Sequence, residues 1–141
     1  MTTALKFALF GAGNIGERHL RLAKEEPQCA VVAIADPAPH GARLANEFGV
    51  QHYATAEALL EHEAELDGAI IATPNDQHAN IGIACIQRSL PVLVEKPVTD
   101  TLASGQALVD ASTAHDVPIA VGHHRRFDPS IDVAKETLDN G

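Results

Sequence analysis

Five short apolar segments, separated by stretches of helical character, constrain the fold of this chain more than any other feature. They read LKFALF (5–10), AVVAIA (30–35), GAIIA (68–72), PVLVE (91–95) and PIAVG (118–122), with a weaker sixth, QHYA, at 51–54. Their apolarity is continuous rather than alternating, which is typical of strands covered on both faces. Strands of this kind in alternation with helices predict a parallel α/β sheet.

The segments between the strands carry the spacing of amphipathic helices. In the first of them, Ile15, His19, Leu22 and Ala23 fall at i, i+4, i+7 and i+8. Asp100 is predicted to be the N-cap of the helix that begins TLASGQ. Because crossovers between parallel strands are right-handed, the simplest arrangement of six strands is a doubly wound Rossmann sheet in the order 3-2-1-4-5-6.

The chain changes character after this predicted sheet domain, which occupies residues 1–122. Residues 123–141 read HHRRFDPSIDVAKETLDNG, begin with four potentially cationic side chains and end in a helix-like segment without a further strand. We expect these residues to form a junction and the start of a second domain that is absent from this chain.

Composition excludes several classes of function. The chain has 141 residues, of which 45% are hydrophobic, enough for one core. Its 19 acidic and 10 basic side chains give a formal net charge of -9, which argues against a general binder of nucleic acids or anionic membranes. There is no CxxC pattern, no signal segment and no apolar run approaching the ~20 residues that span a bilayer. We therefore expect a soluble protein of the reducing cytoplasm.

The sequence GAGNIG at 11–16 directly follows the first strand and opens a helix, the context that a dinucleotide-binding loop requires. Gly11 permits a tight turn, Gly13 lets the backbone approach a pyrophosphate, and Gly16 allows the helix to pack closely on the strand. Free N–H groups at the helix N-terminus would hold the phosphates. The loop alone is weak evidence, and a methyl-donor-binding Rossmann domain would share it.

Asp36 strengthens the dinucleotide interpretation, because it ends the second strand 20 residues beyond Gly16. A carboxylate at this point can accept hydrogen bonds from both hydroxyls of an adenosine ribose, and it would repel a 2′-phosphate. NAD is therefore predicted as the cofactor in preference to NADP, and Arg43 lies too far along the next helix to change that preference. An Asp-Pro turn without a ligand is the alternative interpretation.

Polar segments follow the fourth, fifth and sixth strands, at the edge where open parallel sheets bind their ligands. They read TPNDQH (73–78), EKP (95–97) and HHRRFDP (123–129). Together with GAGNIG, the RH that follows it and the DP after strand two, these motifs closely resemble the Gfo/Idh/MocA family of dehydrogenases. Glucose-fructose oxidoreductase and inositol dehydrogenase belong to that family, and the resemblance covers essentially the whole chain.

The resemblance implies the N-terminal, NAD-binding domain of an enzyme that oxidises a secondary alcohol of a sugar, cyclic polyol or related small molecule. In such enzymes a larger α/β domain follows, which supplies much of the substrate pocket, the usual catalytic histidine and the subunit interface. The full-length enzyme is accordingly expected to be a homo-oligomer. This chain alone is expected to bind NAD weakly and to be inactive.

The resemblance also assigns the residues of the cofactor site. It places Asp36 at the adenosine ribose and Gly11, Gly13, Asn14 and Ile15 along the pyrophosphate.

At the reacting end of the cofactor, Glu95 matches a glutamate that commonly meets the nicotinamide ribose, and Lys96 matches a lysine that approaches the substrate hydroxyl. Pro97 matches a proline that follows a cis bond, which an X-Pro bond tolerates. The segment that passes near the nicotinamide is matched by Thr73, Pro74, Asn75 and His78.

Lys96 also has a physical rationale that does not depend on the family. A cation beside a carbinol carbon stabilises the alkoxide that develops as hydride departs, and it holds the hydroxyl in line with the acceptor. When partly desolvated, a lysine can also share the proton transfer. A salt bridge between Glu95 and Lys96 is the alternative interpretation, although adjacent strand residues point to opposite faces.

Four other side chains are candidates of a weaker kind. Arg126 matches a position where the family often uses arginine to meet cofactor or substrate oxygens, with a purely interdomain contact as the alternative. His78 is the nearest local general acid or base, but a helix-start or cofactor-contact role fits it better. His19 is expected to pack on its helix face or to touch the cofactor loop. His123 has a histidine neighbour but no third ligand at suitable spacing, so no metal site is predicted.

Two functions follow from these residues. The first is the cofactor domain of a dehydrogenase, in which Lys96 works at the reacting end. The second is a non-catalytic, NAD-responsive binding module that recruits a protein partner. Lys96 favours the first, because a sensor needs no cation at that point.

Overall fold

A six-stranded parallel sheet forms the centre of residues 4–141, the part of the chain that the computed structural model describes. The strands run in the order β3-β2-β1-β4-β5-β6, and every neighbouring pair is parallel. The predicted Rossmann order is confirmed, and each strand end lies within one residue of its predicted position. The strands are β1 (Leu5–Phe10), β2 (Cys29–Ala35), β3 (Gln51–Tyr53), β4 (Gly68–Ile71), β5 (Val92–Val94) and β6 (Ile119–Val121).

Helices connect successive strands and cover the sheet. A 3₁₀ turn at His124–Phe127 follows the last strand. No helix among residues 4–141 is long and apolar enough to cross a bilayer. The helices are α1 (Asn14–Glu25), α2 (Pro39–Phe48), α3 (Ala56–His62), α4 (His78–Ile86), α5 (Leu102–His115) and α6 (Pro129–Asp139).

The N-terminus of α5 corrects one expectation. Thr101, rather than Asp100, is the N-cap: its hydroxyl accepts a hydrogen bond from Ser104 N–H, and the Ser104 hydroxyl accepts one from Thr101 N–H. The side chain of Asp100 instead accepts a hydrogen bond from the Ser104 hydroxyl. The cap moves by one residue because a threonine at N-cap and a serine at N3 satisfy two orphan N–H groups reciprocally.

Two apolar clusters, one on each face of the sheet, explain why the strands are continuously hydrophobic. Phe10 belongs to the cluster beneath α4 and α5, whereas its neighbour Leu9 belongs to the cluster beneath α1 and α2. Both side chains are fully buried. Successive strand residues point to opposite faces. In a strand covered on both sides, every side chain is therefore buried against apolar neighbours, which favours apolar residues at each position.

Glycines let the helices approach other backbone and side chains closely. A Cβ added at Gly16 in α1 would lie 1.9 Å from the carbonyl oxygen of Gly11. A Cβ at Gly82 in α4 would lie 2.7 Å from the side chain of Leu108 in α5. The first contact seats α1 against the loop after β1, and the second packs α4 on α5.

The last helix differs from the others in its exposure. Every residue of α6 (Pro129–Asp139) is exposed, and its Leu138 is 82% exposed. Phe127, in the preceding 3₁₀ turn, is 83% exposed. The domain boundary between residues 122 and 123 stays a prediction.

Removal of the Leu108 side chain tests the α4–α5 packing. Leu108 is fully buried and Val109 beside it is 52% exposed, so the two form a matched pair. We expect L108A to lower the free energy of unfolding by about 2–5 kcal/mol through loss of burial and cavity formation. V109A should lower it by less than about 1 kcal/mol. Equal effects of the two variants in urea denaturation would contradict the packing described here.

The two cysteines should differ in reactivity. Burial raises the pKa of the Cys85 thiol to about 12, so this thiol stays protonated at pH 8 and is inert. Cys29 is only partly buried. With a disulfide reagent at pH 8, Cys29 should react first, and Cys85 in a C29S variant should react only as fast as the chain unfolds. Rapid modification of native C29S would contradict this prediction.

Candidate active site

Two clefts open at the carboxyl edge of the sheet. The first cleft, of about 580 Å³, is lined among others by Gly11, Asp36, Thr73 and Pro74. The second cleft has a volume of about 420 Å³. It is lined by residues of the loops after β4 and β5 and of one face of α1, among them Ile15, His19, Thr73, Asn75, His78, Glu95 and Lys96. Most of the side chains selected from the sequence therefore lie at one edge of the sheet.

The glycine loop between β1 and α1 presents open backbone to this edge. Gly11 has a φ of +87°, and a Cβ there would lie 2.6 Å from Thr73 N, so the position requires glycine. Gly13 is the N-cap of α1 and no side chain caps the helix there. A Cβ at Gly13 would meet nothing within 4 Å. The first N–H groups of α1, beginning at the exposed Asn14, are thus open to an anion.

Asp36 lies in the first cleft and is held by the backbone on both sides. One carboxylate oxygen accepts a hydrogen bond from Ala12 N–H at 2.6 Å, and the other accepts one from Ala38 N–H at 2.7 Å. α2 packs so closely that a Cβ at Gly41 would lie 2.5 Å from the Cβ of Asp36. Each carboxylate oxygen keeps a second lone pair, so an oriented pair of acceptors faces the cleft.

Thr73 stands between the two clefts and lines both of them. Its hydroxyl is buried and has no hydrogen-bond partner within residues 4–141. Such orphaned polar groups are rare in folded proteins and need an explanation, such as a ligand. Pro74 lies on the side of the first cleft and Asn75 on the side of the second.

His78, the first residue of α4, ties two loops together. Its side chain is 1% exposed. Nε2 lies 2.8 Å from the carbonyl oxygen of Thr73, and Nδ1 lies 3.0 Å from that of Pro97 and 3.2 Å from that of Val98. The ring therefore connects the loop after β4 with the loop after β5. Its predicted contact with a cofactor stays a prediction.

Glu95 and Lys96 follow β5 and have different partners. Glu95 Oε1 lies 2.8 Å from Nε2 of His19, and Glu95 Oε2 accepts a hydrogen bond from Lys96 N–H at 3.2 Å. The Lys96–Pro97 peptide bond is cis, as the resemblance implied. Lys96 is exposed, and it is absent from the ion pairs found among residues 4–141. The salt bridge considered between the two side chains is not formed; Glu95 pairs with a histidine of α1 instead.

The His19–Glu95 contact is the feature that sequence reasoning missed. His19 was expected to pack on its helix or touch the cofactor loop, yet it reaches a residue 76 positions away. One signal could have pointed to it: His19 lies one turn after Ile15, on the face of α1 that begins at the glycine loop.

Of the residues that follow β6, some line the clefts and others do not. Arg126 lies in the exposed 3₁₀ turn and lines neither cleft, whereas its neighbour His124 lines the second cleft. A role for Arg126 at the cofactor stays a prediction. Across the described part of the chain, no three His, Cys, Asp or Glu side chains are grouped so as to hold a metal ion.

Comparison with known proteins shows the family to which this chain is similar. Residues 5–123 match the model of the Gfo/Idh/MocA oxidoreductase family, NAD-binding Rossmann fold. The rhizopine catabolism protein MocA of Rhizobium meliloti is 33% identical over 140 residues, which are 99% of this chain and 44% of MocA. The 4-carboxy-2-hydroxymuconate-6-semialdehyde dehydrogenase of a Sphingobium strain is 36% identical over 129 residues, 89% of this chain and 40% of that enzyme.

A solved structure gives the same result. The crystal structure of myo-inositol 2-dehydrogenase from Lactobacillus plantarum superposes with a TM-score of 0.89 at 27% identity, covering 99% of this chain and 42% of that one. The chain thus spans about two-fifths of the length of the proteins that it matches. By its matched residues and its fold, the chain belongs to the Gfo/Idh/MocA oxidoreductase family, and residues 5–123 are its NAD-binding Rossmann domain.

Proposed function

We propose that this chain is the cofactor-binding part of an NAD-dependent dehydrogenase that takes hydride from a secondary alcohol of a sugar, cyclic polyol or related hydroxylated molecule. The observation that carries the proposal is the pair of clefts that meet at Thr73, with Asp36 in one and Lys96 in the other. The similar structure from Lactobacillus plantarum is named as a myo-inositol 2-dehydrogenase, and this name supports a polyol as the substrate class.

The residues present fit NAD. Asp36 offers two oriented acceptors for the adenosine ribose in the first cleft. The uncapped start of α1, with Gly13, Asn14 and Ile15, offers N–H groups to the pyrophosphate. The unpartnered hydroxyl of Thr73 lies between the clefts, where a dinucleotide bound to both would pass.

The second cleft supplies the chemistry of the reacting end. NAD, when bound, supplies the acceptor for a hydride. Lys96 would bind the substrate hydroxyl, hold it in place and stabilise the negative charge that develops on its oxygen. Glu95 would accept a hydrogen bond from the nicotinamide ribose. The residue that finally takes the proton is proposed to lie outside these 141 residues.

The preference for NAD over NADP follows from charge at the first cleft. A 2′-phosphate would stand against the Asp36 carboxylate. Arg43 lies further along α2, where it donates a hydrogen bond to His40 Nδ1 at 2.7 Å, and it does not line the first cleft. His40 Nε2 in turn lies 3.5 Å from the carboxylate of Glu17.

A non-catalytic, NAD-responsive binding module receives less support. It would use the glycine loop and Asp36 equally well, but it gives no reason for Lys96. That side chain lines the second cleft, exposed and without an ion pair among the described residues.

We further propose a cytoplasmic location, a small-molecule substrate and a homo-oligomeric full-length enzyme.

Substitution of Asp36 tests the adenosine end. D36N removes the charge and one acceptor, so NAD affinity should fall about tenfold to a hundredfold, the loss expected for hydrogen bonds to a charged group. The preference for NAD over NADP should shrink at the same time, because the repulsion of the 2′-phosphate is lost. Calorimetric titration with both dinucleotides measures the change. D110N, an exposed carboxylate on α5, is the control; an equal loss in D110N or an unchanged preference in D36N would refute the assignment.

An activity assay of the isolated chain tests whether cofactor binding and catalysis require different parts of the full-length enzyme. We expect the 141-residue chain to bind NAD but to form no detectable NADH from inositols or simple sugars, because the proton acceptor and the second wall of the substrate pocket are proposed to lie outside these residues. Absorbance at 340 nm measures this. Turnover that disappears in K96M would show that the chain is catalytically complete, contrary to the proposal.

A further inference from the structure

We infer that His19 is a positioning residue of the active site, which holds the Glu95 carboxylate away from Lys96 and thereby keeps the lysine free to meet the substrate. This inference rests on the proposed roles of Glu95 and Lys96. It assigns a role in the reaction to α1 beyond phosphate binding.

The geometry of the pair is specific. Nε2 of His19 and Oε1 of Glu95 are 2.8 Å apart, and their side chains are 21% and 13% exposed. A partly buried carboxylate needs hydrogen-bond donors, since leaving it without them costs more than the bond itself contributes. The His19 ring meets that need from a helix whose position is set by the Gly16 contact described above.

Packing on the other side limits where the carboxylate can go. A Cβ at Gly122, just after β6, would lie 2.6 Å from Glu95 Oε1 and 2.7 Å from its Cδ. The carboxylate thus lies directly on the Gly122 backbone, with α1 on one side and its own loop on the other. Without the histidine, one backbone donor, Lys96 N–H at 3.2 Å, would be left among the contacts described.

The ammonium of Lys96, the next residue along the chain, is a candidate replacement for the lost donor. β5 ends at Val94, so the opposite-face rule for strand residues does not apply to Glu95 and Lys96. Both side chains line the second cleft. Freed from His19, the carboxylate would form the ion pair with Lys96 that the structure does not contain, and the lysine would be withdrawn from its substrate.

Lysine labelling in the 141-residue chain without cofactor tests this inference. An amine-reactive acetylating reagent is applied at limiting concentration, and acetylation of Lys96 is measured by mass spectrometry relative to the exposed Lys135. H19L, which keeps bulk but removes the donor, should slow Lys96 labelling about twofold to fivefold, as expected for an exposed ion pair. H19Q, which keeps a donor at a similar reach, should restore the wild-type rate, and H115L on α5 is the matched control.

A double-mutant cycle shows whether His19 acts through Glu95. In the E95Q background, H19L should have no further effect on Lys96 labelling, because the competing charge is gone. An unchanged labelling rate in H19L, or a slower rate that persists with E95Q, would overturn the inference. If circular dichroism shows that H19L is not folded, the H19A variant is used in its place.

The proposed function is tested separately by NAD titration of the same proteins. H19L should weaken NAD binding about twofold to tenfold in the wild-type background, the loss expected when one polar contact is disturbed, and not in E95Q. Failure of the wild-type chain to bind NAD would refute the proposed function. The labelling result, which needs no cofactor, decides the role of His19 independently.

Discussion

The contact between α1 and the glycine loop is the constraint on which the rest of the site depends. The Gly16 backbone lies against the Gly11 carbonyl, and Gly11 lies against the Thr73 backbone, each at a distance that no Cβ would permit. The N-terminus of α1 and the loops after β1 and β4 therefore meet at one point. An uncapped helix end and two clefts arise there because three backbone segments share a space that side chains would otherwise fill.

Polar side chains then connect the loops that this packing brings together. Asp36 binds the backbone at Ala12 and Ala38, which joins the glycine loop to the start of α2. His78 joins the loop after β4 to the loop after β5. His19 joins α1 to Glu95. Each connection spans two elements of the sheet edge, so side chains that line the clefts also hold the surrounding loops together.

The sequence was informative where the physical signal is local. Continuous apolar runs revealed five of the strands, because a parallel strand covered on both faces must be apolar throughout, whereas the sixth, β3, reads QHY and gave a weaker signal. Asp36, Glu95 and Lys96 could be placed because strand ends in a parallel sheet share one edge. The helix cap at Thr101 was misplaced by one residue, since Asp100 and Thr101 are both good caps and only the reciprocal bond with Ser104 decides between them.

The sequence by itself determined the fold class, the strand order and the edge of the sheet at which the clefts open, because apolar periodicity and crossover handedness leave few arrangements. Only the tertiary structure decided which side chains meet there. It paired Glu95 with His19 rather than with Lys96, enclosed the ring of His78 among backbone carbonyls, and left Arg126 outside both clefts. Such partners are distant along the chain, and a contact between them depends on the packing of helices on the sheet, which no local pattern encodes.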